Sequence, residues 1–293
     1  MTLKDQEIAI LEALKEKLRK TKILDDDKFG SKRWDGKSEK SKYYLFDKRN
    51  NLFEAERGVK LGTGVESIRS SAAMIFNLMG KDTVEFNDGS QYDIQYEEEF
   101  EVIEDEKAKT HSAHLDVTLR NEKKSEMIAI EAKMREWLNS PKNLAKAYLE
   151  EKSYPKENDK KKKFISFFNG LVDKGKELKY GRHPHTKYKV YDAIQMTIHI
   201  LSLYNECCKS HYKSITLCNV VWKYDCSRYN QEEEEGQKFV EEANKEFSHI
   251  FKEKGVDFKV EYITFQYFKE RLKLSDDRKS YLQRYEIKST RFA

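Results

Sequence analysis

The chain is poor in the residues that interrupt regular structure: 293 residues hold only 3 prolines and 12 glycines, so long helices and strands are expected. Its cysteines are few and spaced for neither of their usual structural uses. Cys207, Cys208, Cys218 and Cys226 include an adjacent pair but no C-x-x-C. That suits neither a disulfide framework nor a ribbon-type zinc site, and a reducing cytoplasm is the expected home. No apolar run approaches the ~20 residues that span a bilayer. The opening MTLKDQEIAILEALKEKL is amphipathic and charged rather than a secretory signal, so no membrane partner is expected. Nor does one charge dominate, because 56 basic residues face 52 acidic ones. Any preference for nucleic acid must then come from where the charges lie.

What is abundant is aromatic surface. The 17 Tyr, 16 Phe and 3 Trp make up 12% of the chain, which supplies large areas for burial and argues against disorder. Residues 4 to 20 carry Ile8, Leu11, Leu14 and Leu18 at helical spacing, and the following KTKILDDDKFGSKRWDGKSEKSK loses all periodicity. Residues 1–55 are therefore expected to be a helix and a polar connection, and 56–293 the main domain. There, GVESIRSSAAMIFNLMG predicts a buried helix closed by Gly80. TVEFNDGSQYDIQYEEEFEVI predicts strands joined by a two-residue turn at Asp88-Gly89. KVYDAIQMTIHILSLYNECC places Ile194, Ile198, Leu201 and Asn205 on one helical stripe, and SITLCNVVWKY reads as a buried strand. EEEEGQ reads as a solvated helix start favoured by the dipole, in a helix stopped by Gly255 and followed by the strand VDFKVEYITF.

The stretch AHLDVTLRNEKKSEMIAIEAKMREW, residues 113 to 137, reads as two strands around a polar turn. If Glu122 to Ser125 form the loop, antiparallel partners sum to 247 and Asp116 lies opposite Glu131. Their Cβ atoms would then be about 4.5–5.5 Å apart on one face. Lys133 shares that face, while Ile130 and Ala132 point the other way into core. Two carboxylates forced together favour a shared proton or a hard divalent cation. With a lysine alongside, a cation such as Mg2+ fits better, and the matching chemistry is phosphodiester hydrolysis. E-x-K alone is common in a chain that is 37% charged, and a cross-strand salt bridge is the competing reading.

Asp116, fourteen intervening residues and Glu131-Ala132-Lys133 together resemble the signature of the PD-(D/E)xK nuclease superfamily, which includes most restriction endonucleases. SIRSSAAMIFNLMG also resembles the leading helix of some of its bacterial members. The resemblance covers about residues 60 to 225. It implies an α/β fold: a restriction-endonuclease-like α-β-β-β-α-β core on a mixed α+β sheet, helices on both faces, and N- and C-terminal additions. It also implies a Mg2+ site at Asp116 and Glu131 with the backbone carbonyl of Ala132, and Lys133 positioning the nucleophilic water. The superfamily often has proline before the first acid, where this chain has Leu115.

By the same resemblance Glu66 would assist from the leading helix, with Glu54 and Glu56 as competitors. An acid at a helix start is also explained by the dipole alone. Gln195 would face the site and orient a phosphate or water, unless it is a buried amide satisfied by backbone. His199 shares its face. The basic segments NDKKKKF and KGKELKYGRHPHTKYK offer Lys179, Arg182, His183, Lys187 and Lys189 to phosphates flanking the cut, or are solvated loops. His183-Pro184-His185 lacks a third ligand at zinc spacing. The implied activity is that of a Mg2+-dependent DNA endonuclease of restriction type acting on double-stranded DNA, as a homodimer if the cut site is palindromic. A noncatalytic nucleic-acid-binding protein on the same fold, or a repair or structure-specific nuclease, is the alternative.

Overall fold

The computed structural model describes residues 71–80, 82–104, 110–134, 143–177, 181–224 and 227–286. The expected N-terminal helix and polar connection, together with Glu54, Glu56, Glu66 and Lys179, lie outside these residues. Helix α1 (Ser71–Met79) leads into strands β1 (Thr83–Glu85), β2 (Gln91–Glu104), β3 (Thr110–Asn121) and β4 (Glu126–Lys133). A two-residue strand β5 (Leu144–Ala145), helix α2 (Lys161–Leu171) and strand β6 (Arg182–His183) follow. Then come helix α3 (Ala193–Cys207), strand β7 (Ser214–Val221), helix α4 (Ser227–Lys252), strand β8 (Asp257–Thr264) and the short helices α5 (Phe265–Glu270) and α6 (Asp276–Leu282).

Six strands form one mixed sheet in the order β1-β2-β3-β4-β7-β8, antiparallel from β1 to β4 and parallel from β4 to β8. Parallel neighbours need a crossover, and α3 and α4 supply the two. The architecture is thus α+β with a mixed sheet between two helical layers. On one face α1, α5 and α6 bury Met74, Ile75, Phe265, Phe268 and Leu282 against Ile130 and Val220. On the other, α2, α3 and α4 bury Phe164, Phe168, Leu201, Phe239 and Phe247 against Ala129 and Leu217. Central β4, covered on both faces, is consequently a continuous apolar run from Met127 to Ile130, with charge only at Glu126, Glu131 and Lys133.

Several local expectations meet the structure directly. Gly80 ends α1 at φ +90°, with its N–H bonded to the Phe76 carbonyl at 2.9 Å, the left-handed stop that glycine adopts without penalty. The first hairpin turn is longer than the two residues expected. Phe86 N–H still reaches the Ser90 carbonyl at 2.8 Å, which leaves Asn87-Asp88-Gly89 as the turn with Gly89 at φ +82°. EEEEGQ is not a solvated helix start. The helix begins at Ser227, and Glu232 is only 3% exposed and accepts a 2.5 Å bond from the Tyr262 hydroxyl. Amphipathic placement accounts for the difference, because Tyr229, Glu232, Gly236 and Phe239 all lie on the buried stripe of α4.

Gly236 is there because α4 crosses β8 closely. A Cβ at this position would lie 2.5 and 2.6 Å from the Tyr262 ring and 3.0 Å from Tyr191 Cε2. Gly236→Ala gains about 1 kcal/mol of helix propensity but overpacks the crossing at a cost of about 1–3 kcal/mol. Urea unfolding should therefore show a net loss of stability, against the gain that the same change brings on an exposed helix.

Candidate active site

The site forms where the β3–β4 ladder runs out. Partners sum to 247 from Asn121↔Glu126 to Val117↔Ile130, the register expected from the loop. Beyond Val117 the Asp116 side chain replaces main-chain pairing: its Oδ2 accepts the Ala132 N–H at 2.7 Å. The N–H and C=O of one strand residue project to the same side, so the Ala132 carbonyl lies on the edge that Asp116 occupies. Ile130 and Ala132 are buried in the α1-side core, leaving Glu131 and Lys133 on the α3 side with Asp116.

Glu131 is 4% exposed and both its oxygens are engaged. Oε1 lies 2.5 Å from Lys133 Nζ and accepts Gln195 Nε2 at 2.7 Å, and Gln195 Oε1 accepts Lys133 Nζ at 2.9 Å. Oε2 lies 3.1 Å from His199 Nε2. The Glu131 carbonyl accepts Asn219 Nδ2 at 3.1 Å, which ties the next strand to the same point. Gln195 reaches the site because Asp192 caps α3 and takes the Gln195 N–H at 3.0 Å, fixing the first turn. The turn before it is held by Glu235 of α4, whose Oε2 accepts the N–H groups of Lys189, Val190 and Tyr191 at 3.0, 2.8 and 2.9 Å.

The two acids titrate in opposite directions. Burial alone would raise Glu131, but the Lys133 ammonium and His199 outweigh it and hold the carboxyl at about 2. For Asp116, burial and then the charge of Glu131 push the carboxyl well above its ordinary value, and Lys133 and the Ala132 N–H offset this only in part. Asp116 is thus an acid with too little positive charge around it.

A third acid joins them. Glu97 on β2 has φ +49°, rare for a non-glycine residue within a strand. The β2–β3 ladder pairs Tyr96↔Val117 and Glu98↔Leu115 and skips the Glu97 and Asp116 pair between. Side-chain alternation inverts at that point. Tyr92 and Tyr96 face the α1-side core, whereas Phe100 and Val102, of the same parity, face the α3-side core. The kink leaves neighbouring residues on one face, with Glu98 held by Arg120 Nη2 at 2.7 Å and Glu97 beside the acids. Burial and then Glu131 raise the Glu97 carboxyl. The sequence signal for Glu97 was the run Glu97-Glu98-Glu99, which breaks the strand's polar–apolar alternation.

The donor set suits a hard cation. Carboxylates of Asp116, Glu131 and Glu97 and the Ala132 carbonyl are all oxygen donors, and Mg2+ takes one or two carboxylates and keeps several waters. Among the described residues no three His, Cys, Asp or Glu side chains are already gathered as a closed ligand set, so water and substrate oxygens would complete the coordination.

The basic residues expected near phosphate are dispersed. Arg182 is exposed on β6, while His183 is buried at 5% exposure with Nε2 3.5 Å from Glu177, so its ring faces the interior. Lys187 pairs with Glu242 of α4 at 2.5 Å, and Lys189 is exposed next to the segment that Glu235 holds. No protein-family model, no curated protein and no solved structure matches the chain.

Proposed function

We propose that this protein is a Mg2+-dependent DNA endonuclease, hydrolysing phosphodiester bonds in double-stranded DNA from a restriction-endonuclease-like core. The observation that carries the reading is the convergence of Asp116, Glu131 and Lys133 at the end of one ladder, with Ala132 N–H held by Asp116. The mixed sheet is compatible with it in outline only: α1 is followed by four antiparallel strands, and β5, α2 and β6 stand between β4 and the crossover helix α3 that leads to parallel β7. The unbalanced negative charge at Asp116, which a divalent cation would relieve, supports it.

In this reading Asp116, Glu131 and the Ala132 carbonyl hold Mg2+, and Glu97 borders it. Bound there, Mg2+ would acidify a water and offset the charge developing on the phosphate. Lys133 is held between Glu131 and Gln195, aimed by two acceptors, and in that position orients the attacking water or neutralises a phosphate oxygen. Gln195 keeps both Glu131 and Lys133 in place, and His199 Nε2 lies 3.1 Å from the far oxygen of Glu131 on the buried side. Activity on both strands of a palindrome would call for a homodimer.

A second reading has one observation in its favour. Glu131 Oε1 is satisfied within the protein by Lys133 and Gln195, and Oε2 lies against His199, as they would in a noncatalytic nucleic-acid-binding protein where the network is structural. Supercoiled plasmid incubated with Mg2+ or with EDTA separates the two. The nuclease reading expects breakage in Mg2+ alone, with discrete fragments for a site-specific enzyme and a smear for a repair-type or exonucleolytic one. Plasmid left intact in Mg2+ would favour binding without cleavage.

A further inference from the structure

Two basic segments far apart in sequence meet on one surface away from the acids. Lys162, Lys163 and Phe167 of α2 face Lys187, Glu242 and Lys245 across a groove of about 560 Å³. Its four lysines and two glutamates, Glu242 and Glu246, leave it net positive. The glutamates hold part of this charge in place: Lys187 pairs with Glu242 at 2.5 Å and Lys163 lies 4.0 Å from Glu246. The rest is available. Lys162, 81% exposed, has only Glu151 near it, at 4.0 Å and outside the groove, and Lys245 is exposed with no ion pair among the described residues.

Helix stability does not explain these lysines. Lys160 to Lys163 open α2 with no acid in the first turn and no side-chain cap, where the helix dipole disfavours cations. The groove is also open on the α2 side. Gly170 lines it, and a side chain there would meet nothing within 4 Å. Phe167 is wedged against Phe239 and Phe247, a fixed aromatic wall beside the lysines.

We propose that the groove between α2 and α4 is a docking surface for the phosphodiester backbone of a nucleic-acid strand, separate from the reaction centre. The proposal rests on the reading that the protein acts on nucleic acid, but not on cleavage. Location agrees with it. Glu235, which holds the turn leading to Gln195, and Glu242 and Glu246 in the groove lie on the same helix. At 1.5 Å per residue Glu242 and Glu246 lie about 10 and 16 Å along α4 from Glu235, a length that roughly five nucleotides of one strand match at 3.4 Å each. Lysines spaced along such a path fix position without reading sequence.

The test is fluorescence anisotropy of the full chain on a labelled 30-base-pair duplex in EDTA, across a sodium chloride series. The Lys162→Ala, Lys245→Ala double variant removes two exposed charges. It should reduce the slope of log affinity against log salt by about 2, since each lost phosphate contact contributes about 0.9. Lys238→Ala, exposed on the same helix outside the groove, should change it by less than the error. An unchanged slope in the double variant overturns the proposal, as does a wild type that binds no duplex. Loss of binding to anionic vesicles with duplex binding retained also overturns it. If the wild type cuts plasmid while the double variant binds as tightly as wild type, only the groove fails. If binding depends on the groove and no cutting occurs in Mg2+, the groove stands and the nuclease reading falls.

Discussion

Lys133→Ala is expected to reduce Mg2+-dependent cleavage by about 10²–10³, the loss typical of removing one preorganised charge from a reacting centre. Its binding to duplex DNA in EDTA should survive, because the proposed docking charges lie on α2 and α4. The variant should also melt earlier. Removing one partner of a buried ion pair costs about 3–5 kcal/mol when the other charge is stranded, although Glu131 retains Gln195 and His199. Loss of cutting with binding kept is the outcome that separates a chemical role from a scaffold role. Wild-type cutting by this variant would remove Lys133 from the mechanism.

Asp116→Asn should do the opposite to stability while having a similar effect on activity. The Asp116 carboxyl is raised in the folded state by burial and by Glu131. A raised acid favours the folded state below its unfolded pKa, and that contribution is lost as pH rises through the folded value. At pH 8 the buried carboxyl therefore opposes folding. An asparagine can still accept the Ala132 N–H and brings no charge. Thermal melts should place the variant a few degrees above wild type at pH 8, since about 1 kcal/mol corresponds to roughly 2–4 °C at this size. The gap should shrink toward pH 5, with cleavage abolished throughout. A variant less stable than wild type at pH 8 would mean that Asp116 is a structural anchor. Acids retained at a cost to folding are a mark of functional sites.

Much of this site was legible in the sequence because β-strand geometry is periodic. Once Glu122–Ser125 is the loop, the register follows, and with it the shared face of Asp116, Glu131 and Lys133. Gln195 came from the resemblance, and His199 followed from helical spacing, since residues four apart share a face. What was not legible lay where periodicity breaks. Glu97 enters through a left-handed residue that inverts alternation in β2, and no propensity scale assigns φ +49° to a glutamate. Glu232 and Glu235 read as solvent-facing because they sit in a run of acids, but α4 buries one and uses the other to hold three N–H groups. His183 read as a phosphate contact from its basic neighbours, and the β5–β6 pairing turns it inward.

The claim on which the account depends is that a divalent cation belongs among Asp116, Glu131 and the Ala132 carbonyl. Isothermal titration of Mn2+ or Mg2+ into the DNA-free protein at pH 8 tests it most directly. The account predicts saturable binding by wild type and an affinity at least tenfold weaker in Asp116→Asn, about 1.4 kcal/mol. Absence of binding, or equal affinity in the two proteins, would contradict it.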